Sequence, residues 1–304
     1  MILKKNISLH LTILLLLLGG IADIANAQQD PLYTQYMENL QIVNPGYAGT
    51  KETGNFMVVA RNQWVSFEGA PRTRTFSFHT PLKKLDLGLG FSVLSDKIGP
   101  LAQTGIYMDY AYRVKLNEKF KLSLGLKGGF TFYRASLTAL ETVNPDPIYE
   151  RDIYKNFIPN FGVGGFLFSE DTYFGISVPK LVENSISREE YSSEYVGKEK
   201  IHIYLVGGKK FKVSDNIHIK SHSMLRILKN VPVSVDVTGM AGFKERVWFG
   251  AMYRFSNSWG LLTQVNAIDN ILIGYSYDIN VSGLGAFNNG THEIMISYNL
   301  NLFR

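Results

Sequence analysis

His218, Lys220, His222 and Arg226 recur at even spacing within one stretch, Ile217 to Leu228. Imidazole and ammonium groups so spaced could hold a metal, move protons or bind anions. The backbone period decides between these. On a strand, positions four apart are separated by about 13 Å, at roughly 3.3 Å per residue, too far to share one metal ion. The four side chains therefore read as a basic column along one strand face. Arg61, Arg113, Lys127 and Arg254 share its inward parity on other segments, and Asp109, Asp236, Asp278 and Glu293 are placed to oppose them. Opposed charges inside a barrel brace a narrow interior or tune ion passage. A second reading is that they bind an inserted polar peptide.

Catalytic constellations are weaker. Ser77 and His79 share a strand face but have no third member, and Ser221 and Ser223 face away from His222. A hydrolase needs a nucleophile, an oriented base and a strained elbow or phosphate cradle, and no such motif is present. Asp146, Glu150 and Asp152 lie in one loop without the compact ligand series and turn glycine of a calcium loop. The chain has no cysteine, which excludes disulfides and thiolate metal sites. No enzyme activity, metal or cofactor is expected.

The elements that must position these groups are strands. Ile106, Met108, Tyr110, Tyr112 and Val114 alternate with Tyr107, Asp109, Ala111 and Arg113. Leu122, Leu124, Leu126, Phe130 and Phe132 oppose Lys121, Ser123, Lys127 and Thr131, and Ile294 to Leu302 alternate with Glu293 to Asn301. Period-2 alternation with aromatic residues and strands of roughly 9–13 residues predicts apolar-out, polar-in walls. About fourteen strands are expected: 56–66, 73–80, 86–95, 103–115, 119–133, 159–168, 172–180, 201–212, 217–228, 232–242, 246–254, 259–268, 270–279 and 291–303. Every second connection is tight, such as Asn117-Glu118 and Asp269-Asn270, whereas 134–158, 181–200 and 280–290 are long. Outer-membrane barrels turn tightly in the periplasm and loop widely outside, so parity places the N- and C-termini in the periplasm. Trp64, Trp248 and Trp259 fall near strand ends, where rings anchor at the lipid interface, with ordinary packing within the barrel as the alternative for each. The fold class is thus all-β: a transmembrane antiparallel barrel preceded by a short helical segment on the periplasmic side.

Lys4, Lys5, the apolar run Leu9 to Gly20 and Ala25-Asn26-Ala27 form an export signal. Residues 1–27 are therefore expected to leave, with 28–55 as a periplasmic or plug segment and 56–304 as the barrel. The formal net charge of +5 is unclustered, which argues against a nucleic-acid partner. Outer-membrane lipid is the expected surroundings. In the loops, Tyr149, Tyr154, Tyr191 and Tyr195 offer aromatic contacts for an extracellular partner.

The segment before the barrel has its own pattern. Asp30 and Pro31 suit an N-cap and first helical position, and Tyr33, Tyr36, Met37 and Leu40 follow at helical spacing. Asn44-Pro45-Gly46 would stop the helix. About ten residues of helix are marginal alone, so the aromatic face is expected to bury against the barrel mouth or lumen from below.

This stretch also resembles the opening signature of the PorP/SprF family of type IX secretion proteins, which reads Gln-Asp-Pro, Gln-Tyr, Asn and Asn-Pro-Ala-Tyr-Ala-Gly. Here it stands as Gln29, Asp30, Pro31, Gln35, Tyr36, Asn39, Asn44, Pro45, Tyr47, Ala48 and Gly49, with Gly46 in place of alanine. Arg61, Gln63 and Trp64, Gly69-Ala70-Pro71, Asp96, Ile98-Gly99-Pro100 and Pro159-Asn160-Phe161-Gly162 continue the likeness. The resemblance implies a non-enzymatic outer-membrane component of secretion and gliding. Its implied partners are a secreted adhesin's C-terminal domain, helped in export or anchored at the surface, or other parts of the apparatus. A channel for small solutes is the alternative.

Overall fold

The structure, a computed structural model, describes residues 30–140, 150–185, 199–281 and 283–300. The expected leader with its cleavage site, Gln29, Asp146, Tyr149, Tyr191 and Tyr195 lie outside the described residues.

Fourteen strands form: β1 (Gly54–Asn62), β2 (Arg72–Leu82), β3 (Leu87–Ile98), β4 (Leu101–Lys115), β5 (Lys121–Ala135), β6 (Ile153–Phe168), β7 (Thr172–Val178), β8 (His202–Lys212), β9 (Ile217–Leu228), β10 (Val231–Phe243), β11 (Val247–Arg254), β12 (Ser258–Ile268), β13 (Ile271–Asn280) and β14 (Thr291–Leu300). Each pairs with its sequence neighbours, and β1 pairs with β14 to close the barrel. All pairings are antiparallel, with Gly54 opposite Leu300 at the seam. Closure removes the unpaired edges that hydrocarbon cannot satisfy, which is why strands can span where no described helix is long and apolar enough to do so.

The alternation is realised as read. Met108, Leu126, Phe249 and Leu261 are 67%, 60%, 65% and 62% exposed on the outer wall. Tyr107, Asp109 and Ala111 on the same β4 strand are buried inside. Apolar side chains outside and carboxylates inside invert the order of a water-soluble barrel, so the outer face is built for lipid.

The interior holds a second layer. Residues 30–53 precede β1 and pass along the lumen. Three single turns of 3-10 helix, Tyr36–Glu38, Leu40–Ile42 and Pro45–Tyr47, replace the continuous capped helix expected from the spacing. Asp30 caps nothing. Its carboxylate lies 2.9 Å from Lys180 Nζ. The backbone N–H groups of Thr34 and Gln35 instead donate to the Glu293 carboxylate, each at 2.9 Å. A ten-residue helix contributes little by itself, so hydrogen bonds offered by the wall override the local period.

The direction of this segment also departs from expectation. Asp30 sits beside Lys180 and His202, at the end carrying the long connections after β5 and β7. Gly49 sits at the opposite end, where Arg113 donates to its carbonyl and β3 begins at Leu87. The segment therefore traverses the lumen rather than capping one mouth from below. Asp30 and Leu300 lie at opposite ends of the barrel. Parity counts strand ends only, and it is blind to a segment that runs back through the pore.

Candidate functional site: the filled lumen and its mouth

The upper part of the segment is held by charge. Arg61 on β1 donates to Glu293 on β14 at 2.9 Å, to Asp278 on β13 at 2.7 Å and to Thr34 Oγ1 at 2.6 Å. Thr34 Oγ1 in turn donates to Asp278 at 2.5 Å. Arg254 on β12's neighbour β11 grips Asp236 on β10 and donates to the Tyr33 carbonyl at 3.2 Å. Strand alternation forces all five charged side chains inward, and closure brings β1, β13 and β14 side by side. Arg61, Asp278 and Glu293 are almost wholly buried. Buried charges need both a counter-charge and donors for the remaining lone pairs. The two backbone amides supply those donors to Glu293, so the segment completes the network rather than occupying spare space.

The middle of the segment enters an apolar belt. Tyr33, Tyr36, Met37 and Leu40 pack among Met57, Val59, Phe166, Tyr204, Val206, Met224, Met240, Trp248, Met252, Leu262 and Met295. Trp248 belongs to this belt rather than to the lipid interface, whereas Trp259 is 52% exposed on the outer wall beside Tyr253. Five wall methionines supply unbranched side chains that fit an irregular insert. Removing that apolar area from water stabilises the docked segment at roughly 25 cal/mol per Å².

Amide groups hold the lower part. Gln41 Nε2 donates to the Phe78 carbonyl at 3.1 Å and to Asp109 at 3.0 Å, and Lys127 bridges Asp109 and the Gln41 carbonyl. Asn44 Nδ2 donates to the Gly165 carbonyl at 3.1 Å, while its Oδ1 accepts from Gly46 N. Asn39 Oδ1 accepts from Ser77. His79 Nδ1 accepts from Gly49 N. The pair once weighed as nucleophile and base is therefore engaged in holding this segment. The turn beyond lies directly on wall glycines. A Cβ at Gly125 would collide with Pro45 and Gly46, and one at Gly88 with Ala48. Gly49 has φ +71°, a left-handed conformation that favours glycine.

The basic column is real as a face but its members have separate partners. His218 Nε2 lies 3.2 Å from Glu245, His222 Nδ1 lies 2.9 Å from Tyr173 Oη, and Arg226 donates to Ser234 at 2.9 Å. Lys220 lies 4.1 Å over the Trp248 ring and 3.8 Å from Glu38 of the segment. Burial alone would raise the Glu38 carboxyl, but Lys220 and Lys51 hold it below the usual range. Among the described residues, no group of three or more His, Asp or Glu is placed to hold a metal.

A cavity of about 480 Å³ opens above the segment, floored by Asp30, Pro31 and Leu32 and walled in part by Lys180, His202 and Arg254. Burial opposes ionisation of Asp30, yet Lys180 and His202 together keep its carboxyl below the ordinary value. Lys180 is likewise held charged against burial, by the Asp30 and Glu199 carboxylates. At the same end, Tyr154 is 55% exposed, lies under the Arg134 guanidinium and donates to Asp152.

All twelve lumen candidates point inward, and they divide among separate groups rather than forming one site. Lys180, Gln41, Ser177 and Thr34 escaped the sequence reading because their partners are distant in the chain. Ser177, for instance, donates to the Val43 carbonyl. One signal was present: Gly88, Gly125, Gly164 and Gly274 occupy inward positions, and glycine inside a strand often marks close approach of another backbone.

Comparison with solved structures returns barrels of low sequence likeness. The Acinetobacter baumannii outer membrane protein Omp33 has 8% identity and TM-score 0.49, with 83% of this chain and 100% of that chain covered. The CymD monoaromatic hydrocarbon channel has 11% identity and TM-score 0.48, with 89% and 94% covered. The P. putida toluene transporter TodX has 8% identity and TM-score 0.46, with 87% and 95% covered. Comparison with curated proteins gives no match. The family model for the type IX secretion system membrane protein PorP/SprF matches residues 25–298. That span takes in the lumen segment, the charged network and thirteen whole strands with most of β14, and the chain belongs to the PorP/SprF family of type IX secretion system membrane proteins.

Proposed function

We propose that this protein is a non-conducting outer-membrane platform of the type IX system. Its mouth would receive a partner polypeptide: a secreted adhesin to be exported or anchored, or another component of the apparatus. The observation that carries this reading is the continuous lining of the lumen by residues 30–49, most of them buried. A passive pore would leave its interior wet, whereas here Tyr36, Met37 and Leu40 fill it like a protein core. In this reading residues 1–27 are removed on export, 28–55 act as the lumen segment and 56–304 form the barrel. Tight turns face the periplasm, so Leu300 lies there while Asp30 lies toward the cell surface. No catalytic step is assigned, and partner recognition involves the mouth with Tyr154 and the neighbouring loop tyrosines Tyr149, Tyr191 and Tyr195.

The test pairs conductance with capture. Purified full-length protein in a planar bilayer should show no steady conductance, and deletion of residues 28–50 behind an intact leader should open the pore. Crosslinking from the mouth in cells should retrieve a secreted or periplasmic component of the system. Steady large conductance from the intact chain, with no partner retrieved, would return the small-solute channel as the better reading.

A further inference from the structure

The outer wall carries a charged feature that the lumen does not use. Arg72 and Arg74 on β2 and Lys97 on β3 are exposed and face outward at the long-loop end. Arg72 stands directly opposite Lys97 in the β2–β3 register, and Arg74 is the next outward residue. Like charges directly across a sheet repel. None of the three has an ion pair among the described residues. Arg74 donates only to neutral acceptors, the carbonyls of Arg61 and Thr73 and the Asn62 side chain.

A groove of about 340 Å³ lies against Arg72 and Arg74, between the wall and the loop after β1. Trp64 and Phe67 border it, in edge-to-face contact at 6.4 Å, and its charged lining consists of Arg72 and Arg74 alone. Glu68, in the same loop, does not line it. Further along the outward face, starting about 7 Å from Arg74 at roughly 3.3 Å per residue, a cluster of phenylalanines begins. Phe56 stacks on Phe78 at 4.4 Å, and Phe76 lies 6.3 Å from both Phe56 and Phe91.

We propose that this groove is a binding site for a phosphate-bearing lipid of the leaflet at the long-loop end. The phosphate would bridge Arg72, Arg74 and Lys97, and an acyl chain would lie over Phe56, Phe76 and Phe78. Three cations without an ion pair among the described residues, set above an aromatic surface, match an amphiphile with an anionic head. A soluble anion would have no use for the phenylalanines. Guanidinium groups favour this ligand because their paired N–H donors match phosphate oxygens. The site is independent of the lumen and of whatever partner occupies the mouth.

The experiment uses the full-length protein in neutral detergent, with lipid A as probe and thermal unfolding as readout. Lipid A should raise the wild-type midpoint, and its dephosphorylated form should not. The R72Q/R74Q/K97Q variant should lose the rise, with apparent affinity at least about ten-fold weaker, as expected when three basic groups leave an anionic lipid surface. A K83Q/K84Q/K119Q variant removes equal charge from exposed positions at the short-turn end and should keep the rise. An unchanged response in R72Q/R74Q/K97Q, or an equal response to dephosphorylated lipid, would overturn the proposal. An equal rise with inorganic phosphate at the same concentration would also overturn it, leaving a free-anion site.

Discussion

Two ends of one segment are fixed by different physics. Around residues 30–35 the grip is ionic: Lys180 on Asp30, and the Arg61 network on Thr34 and Gln35. Around residues 44–49 the grip is mainly steric: Asn44 amide bonds and a turn seated on Gly125 and Gly88, with Arg113 and His79 bonding the Gly49 backbone. Ionic contacts depend on protonation and on competing charges, and they weaken together when one member is lost. A backbone seated on glycine depends on shape, and it does not titrate. The comparison makes the mouth end the adjustable end and the short-turn end the fixed anchor.

The strongest way to break this contrast is Arg61→Ala. It leaves Asp278 and Glu293 buried without their cation, and unfolding stability should fall by about 3–5 kcal/mol. Thermal unfolding in detergent, with limited proteolysis of residues 30–40, reads the effect. The triple replacement R61M/D278N/E293Q removes the charges together and should cost less than Arg61→Ala alone. Equal costs would mean that the network acts through packing and not through charge.

Gly125→Ala attacks the other end. Its Cβ would meet the backbone of Pro45 and Gly46. Overpacking of this kind costs about 1–3 kcal/mol. The loss should be the same at neutral and acid pH, and a loss that varied with pH would dissolve the distinction between the ends.

Acid should loosen the mouth first. The folded pKa of Asp30 lies below its ordinary 3.8 because Lys180 and His202 outweigh burial. A depressed carboxyl pKa contributes stability that is complete above the unfolded value and is lost as pH falls through the folded one. Hydrogen exchange of residues 30–35 should therefore accelerate below pH 3.8 while that of 44–49 holds. Lys180→Gln should flatten this dependence. Simultaneous exchange of both stretches would show a single cooperative unit.

The smallest effect is expected at Gly46→Ala, which restores the residue usual in the resembling signature. The new methyl would lie 3.0 Å from the Ser123 carbonyl and 3.2 Å from Phe166 Cβ. Those contacts oppose the stabilisation that comes from a less flexible unfolded chain, so stability should move by less than about 1 kcal/mol. A larger loss would mean the seat is tighter than the wall glycines alone require.

Strand positions and facing were legible because period-2 alternation is local. The expected strand 217–228 coincides with β9, and Arg61, Asp236 and Glu293 point inward as parity requires. Chain ends within each strand moved by a few residues at most, except β6, which begins at Ile153 and not near 159. There the loop sequence carries no alternation to mark its start. The N-terminal stripe was legible as a buried face, but not as three 3-10 turns.

By itself, the sequence determined a fourteen-stranded wall, its apolar outside, its charged inside and the family. Each follows from residue spacing or from a contiguous signature. Only the tertiary structure decided that residues 30–49 run the length of the lumen, toward which end, and which charge meets which. Thr34 finds Glu293 across 259 residues, and Arg254 finds Tyr33 across 221. Those pairings exist because closure sets β14 against β1 around the segment. Local propensity carries no information about a neighbour that arrives only when the barrel closes.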